Sequence, residues 1–170
     1  MDRLWYLSKD RVMIKVLFVC HGNICRSPMA EFLFKKMTAD RGQSKLFEIA
    51  SAATSQEEIG SKVYPPVYAM LESMGIDPSK KRARQITRKD MDNYDFIIVM
   101  DNNNLRNLDR LFNGYGEEKV HKCLDFSSRM GCEVADPWYT RDFETCRDDI
   151  TEGLEAFYQT LIENGMVPEK

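Results

Sequence analysis

A short apolar run, Val16-Leu17-Phe18-Val19, leads straight into Cys20-His21-Gly22-Asn23-Ile24-Cys25-Arg26-Ser27-Pro28, and a helical pattern begins directly after it. This constrains the fold more than any other stretch. A buried strand delivers a thiol into a tight loop that turns into a helix N-terminus, which is a place to hold an oxyanion. The elements that follow alternate. Strands are predicted over 14–20, 47–52, 96–100 and 120–124, and helices over 28–41, 63–74, 103–111 and 143–163. The first helix is expected to bury Ala30, Leu33, Phe34 and Met37, and the last Phe143, Cys146, Ile150, Leu154, Phe157 and Leu161, at helical spacing. A β-α-β-α order implies a mostly parallel sheet covered on both faces. Ligands of such sheets bind beyond the carboxyl ends of the strands, where Cys20 lies.

Each residue of the loop has a physical job open to it. A helix N-terminus and an adjacent Arg lower a thiol's pKa, so Cys20 is expected to be a thiolate nucleophile. The backbone N–H groups from His21 to Arg26, through Gly22, Asn23, Ile24 and Cys25, can point inward if the loop curls. Gly22 and Asn23 tolerate the left-handed angles that curling needs. Arg26 can grip two oxygens of a tetrahedral anion. Ser27 can cap the helix or donate to the sulfur, and Pro28 suits the first helical position. Together these parts fit phosphoryl transfer through a thiophosphate intermediate, with the loop amides and Arg26 holding the equatorial oxygens. The plain alternative, a buried strand-end Cys, leaves the Gly-Asn pair, the Arg and the Ser-Pro start unexplained together. A Walker-type nucleotide loop and a dinucleotide fingerprint are absent.

VLFVCHGNICRSPMAE, Val16 to Glu31, resembles the opening motif of the low-molecular-weight protein tyrosine phosphatases. Further blocks resemble that family in the same order: Ser51-Ala-Ala-Thr-Ser55, Ala83-Arg-Gln-Ile-Thr87, Tyr94 to Asp101 (YDFIIVMD), Asn104-Leu-Arg106 and Asp136-Pro-Trp-Tyr139. The resemblance runs from about Met13 to Asn164. It implies a three-layer, doubly wound, four-stranded parallel sheet of flavodoxin-like type. It also implies hydrolysis of phosphotyrosine and small aryl phosphates through a cysteinyl-phosphate, with no metal and no cofactor. Phosphotyrosine-containing proteins or peptides would be the substrates, and inorganic phosphate or similar oxyanions would occupy the loop.

The resemblance assigns further roles. Asp136, whose loop is stiffened by Pro137 and walled by aromatics that exclude water, would be the general acid and then the general base. Position 140 is Thr where many relatives have Gly. Ile24, Trp138 and Tyr139 match the walls of the substrate pocket. Glu57 stands where relatives place an aromatic, and His21 where several carry Leu; Glu57 and Glu58 would repel acidic substrate segments. Asn23 would lock the loop and Ser51 would support it. Asp101 would be a supporting carboxylate, with a helix N-cap as its plainer role. Cys25 lies five positions after Cys20, so an oxidised Cys20 is expected to condense with it as a reversible disulfide.

Three rivals share the scaffold. An arsenate reductase needs a downstream cysteine pair, yet no cysteine follows Met100 until Cys123. Protein-arginine phosphatases tend to carry Thr at the Ile24 position and one aromatic after Asp-Pro. A non-catalytic phosphopeptide-binding module should lack the nucleophile or the acid.

Composition fits this reading. Of 170 residues, 43% are hydrophobic and 30% charged, enough for one core of ordinary size. A net charge of −3 gives no sign of nucleic-acid binding. No apolar run approaches a membrane span, and Leu4-Trp5-Tyr6-Leu7 is too short for a signal-peptide core. The five irregularly spaced cysteines, Cys123, Cys132 and Cys146 among them, read as reduced cytoplasmic thiols rather than a disulfide framework. Residues 13–170 are expected to form one domain, a monomer or weak dimer; 1–12 read as an extended or misassigned start, a frayed arm, or a packed segment using Leu4, Trp5 and Tyr6. The basic group Lys80, Lys81, Arg82, Arg84, Arg88 and Lys89 reads as a solvated surface, with steering of acidic phosphopeptides as its alternative.

Overall fold

Alternation along the first strand builds the molecule. In a computed structural model describing residues 13–169, β1 (Ile14–Cys20) has Val16, Phe18 and Cys20 facing one apolar cluster and Leu17 and Val19 facing another. A strand buried on both faces belongs at the centre of a parallel sheet. Among the described residues four parallel strands run in the order β2-β1-β3-β4, with β2 at Phe47–Ala53, β3 at Phe96–Val99 and β4 at Val120–Lys122.

Helices α1 (Arg26–Asp40), α2 (Pro65–Ser73) and α6 (Phe143–Glu163) cover the face that carries Phe18. There Phe34 of α1 meets Phe157 of α6 at 5.5 Å between rings. Helices α3 (Arg88–Asn93) and α4 (Asn102–Phe112) cover the other face through Met91 and Leu108. The short α5 (Pro137–Thr140) stands at the carboxyl edge of the sheet. This is the expected three-layer, doubly wound architecture.

Several local expectations need correction. α1 begins at Arg26, so Pro28 is the third helical residue rather than the first; it still lies in the first turn, whose N–H groups lack intrahelical partners. Ser27 does not cap that helix; Cys25 occupies the N-cap position without a side-chain bond. Met37 and Phe143 are only partly buried, because each lies near the edge of its helix's apolar stripe. The fourth strand stops at Lys122 and passes into a 3-10 turn over Cys123–Phe126. Helix α3 falls inside a stretch read as solvated surface. Thr87 and Asp90 close a capping box at its start.

Gly153 lets α6 approach that turn. A Cβ there would stand 2.4 Å from Cys123 Sγ and 2.7 Å from its carbonyl. Among the described residues no helix is long and apolar enough to cross a membrane. The expectations for residues 1–12 lie outside the described residues.

Candidate active site

All four strands are parallel, so their carboxyl ends share one edge, and the predicted site residues gather there. Cys20 ends β1 opposite Ala53 of β2. From Cys20 the chain curls through a left-handed turn at Asn23, φ 61°. Gly22 does not share that conformation, contrary to expectation; a Cβ on it would make only ordinary contacts at 3.6 Å or more.

The loop's carbonyls are turned to the surrounding protein. Cys20 O accepts from Thr54 N, His21 O from Ser55 N, Ile24 O from Tyr64 N and Cys25 O from Met29 N, at 2.9–3.1 Å. In a trans peptide the N–H points away from the C=O of the same unit. The N–H groups of His21, Gly22, Cys25 and Arg26 are therefore directed to the inner side of the ring. Such a concave set of donors has the geometry to cradle an anion.

Asn23 holds the ring closed. Its Nδ2 donates to Ser27 Oγ at 2.7 Å and to Ser51 Oγ at 2.9 Å, and its Oδ1 accepts from the N–H of Arg84 at 3.2 Å. Ser51 passes its own hydrogen to Glu31 Oε1 at 2.6 Å, so it must accept from Asn23. Ser27 Oγ, already accepting from Asn23, stands 3.0 Å from Cys20 Sγ, and the Ser27 N–H donates to the same sulfur at 3.4 Å. The Ser27 hydroxyl has its own acceptor in the Ala52 carbonyl at 3.4 Å, so the Ser27 N–H is the donor that faces the sulfur, and such a donor stabilises negative charge there.

Arg26 is 2% exposed. Its Nη1 donates to Asp101 Oδ2 at 2.6 Å and to the carbonyl of Val134 at 2.8 Å; its Nη2 reaches Asp136 Oδ2 at a long 3.4 Å. Burial disfavours its charge, but Cys20, Asp101 and Asp136 outweigh that and hold it protonated. With Nη1 committed to its supports, the fork left for an anion is Nε with Nη2. Asp101 makes two contacts at once: Oδ2 takes Arg26 while Oδ1 caps α4 through the N–H of Asn104.

A cavity of about 230 Å³ opens above the ring. Cys20 and Arg26 are its buried floor, and Ile24, Trp138 and Tyr139 line it with Asp136. Tyr139 is 81% exposed at the mouth, whereas Trp138 leans on Tyr64, 4.9 Å between rings. His21 and Glu57 meet at the rim, 2.9 Å apart. Asp136 caps α5, its Oδ1 accepting from Trp138 N at 3.0 Å, and the loop closes through Arg141 in the left-handed region rather than at Thr140. Cys25 also lines the cavity, and burial pushes its thiol well above the ordinary range.

Sequence reasoning missed the supports. Glu31 is buried and paired with Lys35 at 2.6 Å; Lys81 reaches the Ser51 carbonyl at 3.0 Å. Arg84 is clamped by Asp90 at 2.8 and 3.1 Å. Lys81 and Arg84 are thus not a solvated surface. The Thr87-x-x-Asp90 capping signal could have revealed the local helix, but nothing local marked its tie to Asn23. Burial works against the Asp90 charge, but Arg84 and the Thr87 N–H prevail and hold its carboxyl below the usual value.

A carboxyl held low stabilises the fold above its unfolded pKa of about 4, and that stability is lost as pH falls through the lower folded value. Asp90→Asn is therefore expected to cost about 1–2 kcal/mol at pH 7, discounted for the exposed flank of Arg84. The gap to wild type should close in urea titrations run below pH 4; a gap independent of pH would contradict this.

Comparison with known proteins adds relatives. The profile of the family described as low molecular weight phosphotyrosine protein phosphatase matches residues 15–167. A Pongo abelii protein with that name is 39% identical over 151 residues, 85% of this chain and 93% of that protein. The Bacillus subtilis low molecular weight protein-tyrosine-phosphatase YfkJ is 35% identical over 150 residues, 88% of this chain and 96% of its own length. The crystal structure of YfkJ superposes with a TM-score of 0.85 at 33% identity, covering 91% of this chain and 98% of that one. A Drosophila arginine phosphatase structure reaches 0.78 at 27% identity, over 86% and 97% of the two chains.

Proposed function

The chain belongs to the low-molecular-weight phosphotyrosine protein phosphatase family, and on that premise we propose that it hydrolyses phosphotyrosine in proteins with Cys20 as the nucleophile. The observation that carries this reading is the ring itself, which sets a sulfur, inward amides and the Nη2 of Arg26, held only by a long contact to Asp136, around one space.

In the first step the Cys20 thiolate attacks phosphorus in line. The S–P bond forms as the P–O bond to the aryl group breaks. The amides and Arg26 take the charge of the three equatorial oxygens. Asp136 gives its proton to the leaving phenolate oxygen. Its contact with Arg26 is long, and a phosphate oxygen competing for Nη2 frees Oδ2 for that transfer. In the second step Asp136 removes a proton from water, oxygen attacks phosphorus, and the thiolate and inorganic phosphate are released. Asp101 and the Val134 carbonyl act through Arg26 by fixing its plane; Asn23, Ser27 and Ser51 act through the ring.

A phenyl ring between phosphate and peptide suits an apolar slot that reaches down to a buried sulfur, and Ile24, Trp138 and Tyr139 supply its sides. Phosphoarginine is the runner-up chemistry, which the Drosophila relative's description brings in. Ile24 and the paired aromatics favour tyrosine.

Metal-free turnover of a phosphotyrosine peptide beside a phosphoarginine peptide tests the reading. Phosphotyrosine should be preferred, Cys20→Ser should be inactive, and Asp136→Ala should be slowed by roughly 10²–10⁴-fold. Faster turnover of phosphoarginine would overturn the substrate, and an active Cys20→Ser would overturn the nucleophile.

The same ring supports redox protection. Peroxide converts the Cys20 thiolate to a sulfenic acid, and the Cys25 thiol displaces water from it to leave a disulfide that thiols reduce again. Mass spectrometry after mild peroxide should find a Cys20–Cys25 link; sulfinic Cys20 alone would contradict it.

A further inference from the structure

A second cleft of about 560 Å³ adjoins the catalytic cavity and shares Ile24, Glu58 and Trp138 with it. Its far side is α2 with the residues before it, where Tyr64, Tyr68 and the exposed Ala69 line it. The partition between the two hollows is Trp138, 46% exposed and seated against the Tyr64 ring. Tyr64 is itself fixed from two sides. Its N–H donates to Ile24 O in the phosphate ring at 2.9 Å, and Arg141 donates to its hydroxyl at 3.0 Å. The partition is thus preorganised by contacts that run from the ring to α5.

We propose that this cleft is a specificity subsite that takes an apolar side chain flanking the phosphotyrosine of the substrate polypeptide. The inference rests on the phosphatase reading above. A phosphotyrosine whose ring lies between Ile24 and Trp138 brings its own backbone to the mouth the two hollows share, so the neighbouring residue meets the second hollow. The lining is largely aromatic and aliphatic. Glu58 and Glu72 line the cleft with Lys62, and Arg141 holds the Tyr64 hydroxyl beside it, so the charges are balanced and burying a charged neighbour against the aromatic rings is disfavoured. Burying a flanking Leu against Tyr64, Tyr68 and the Trp138 indole is expected to raise kcat/KM roughly tenfold over Gly.

The test uses phosphotyrosine peptides that differ only in carrying Leu, Gly or Glu beside the phosphotyrosine, on either side. Wild type and Ala69→Trp are compared, each protein's rate on p-nitrophenyl phosphate setting its own baseline. Ala69 is an exposed helical position, so Trp fills the cleft without entering the core. In wild type Leu should exceed Gly by roughly tenfold, with Glu the poorest. In Ala69→Trp the Leu-to-Gly ratio should fall toward one. Equal rates for Leu and Gly in wild type, or a ratio that survives in Ala69→Trp, overturn the subsite while the phosphatase reading stands. Failure to turn over any phosphotyrosine peptide overturns both. A wild-type dimer that Ala69→Trp dissociates in sedimentation velocity, with no flank preference, assigns the cleft to a second copy and also overturns the subsite.

Discussion

Asn23 is the residue on which the site's geometry turns. Its left-handed backbone reverses the chain after the strand, and its amide ties the ring to Ser27 of α1, Ser51 of β2 and the backbone of Arg84. Asn is among the few L residues that enter this region at modest cost. The same bonds set the donor directions: Ser51 accepts because its hydrogen goes to Glu31, and Ser27 accepts from the same amide while its backbone N–H faces the sulfur. A buried carboxylate thus orients Ser51, which in turn holds the Asn23 amide that closes the ring.

Arg26 shows the same division of labour. One nitrogen is committed to protein acceptors, Asp101 and Val134 O, and the rest of the guanidinium is left toward the cavity. An arginine free to rotate would lose rotamer entropy when it gripped an anion; one already bolted to the end of β3 does not. Asp101 serves both as helix cap and as anchor because the chain leaves β3 and enters α4 there.

The strands, the doubly wound order and the residues of the ring were legible because each has a local signal: apolar runs of strand length, a helical period, and a thiol and guanidinium at fixed spacing. The cap at Asp101 was legible for the same reason, since an Asp before a helix is a recognisable signal, whereas its contact with Arg26 was expected only from the resemblance. What stayed hidden was tertiary. Lys81 and Arg84 sit in a run of basic residues that any solvated face could carry, and only the fold brings them under the ring. Glu31 has a helical Lys partner four residues on, which says nothing of its burial. Tyr64 lies in no motif, yet it supports Trp138 through space. α1 starts two residues before Pro28, the residue whose chemistry suits the first helical position, because the curled ring passes into helix already at Arg26.

The central claim is that phosphate passes through the sulfur of Cys20. Rapid acid quench of Asp136→Ala with a radiolabelled phosphotyrosine peptide, followed by peptide mapping, tests it most directly. The account predicts label on the peptide that carries Cys20, held through a bond that is lost on oxidation of the sulfur. Label on a histidine or carboxylate, or turnover with no labelled enzyme in a variant slowed at both steps, would contradict it.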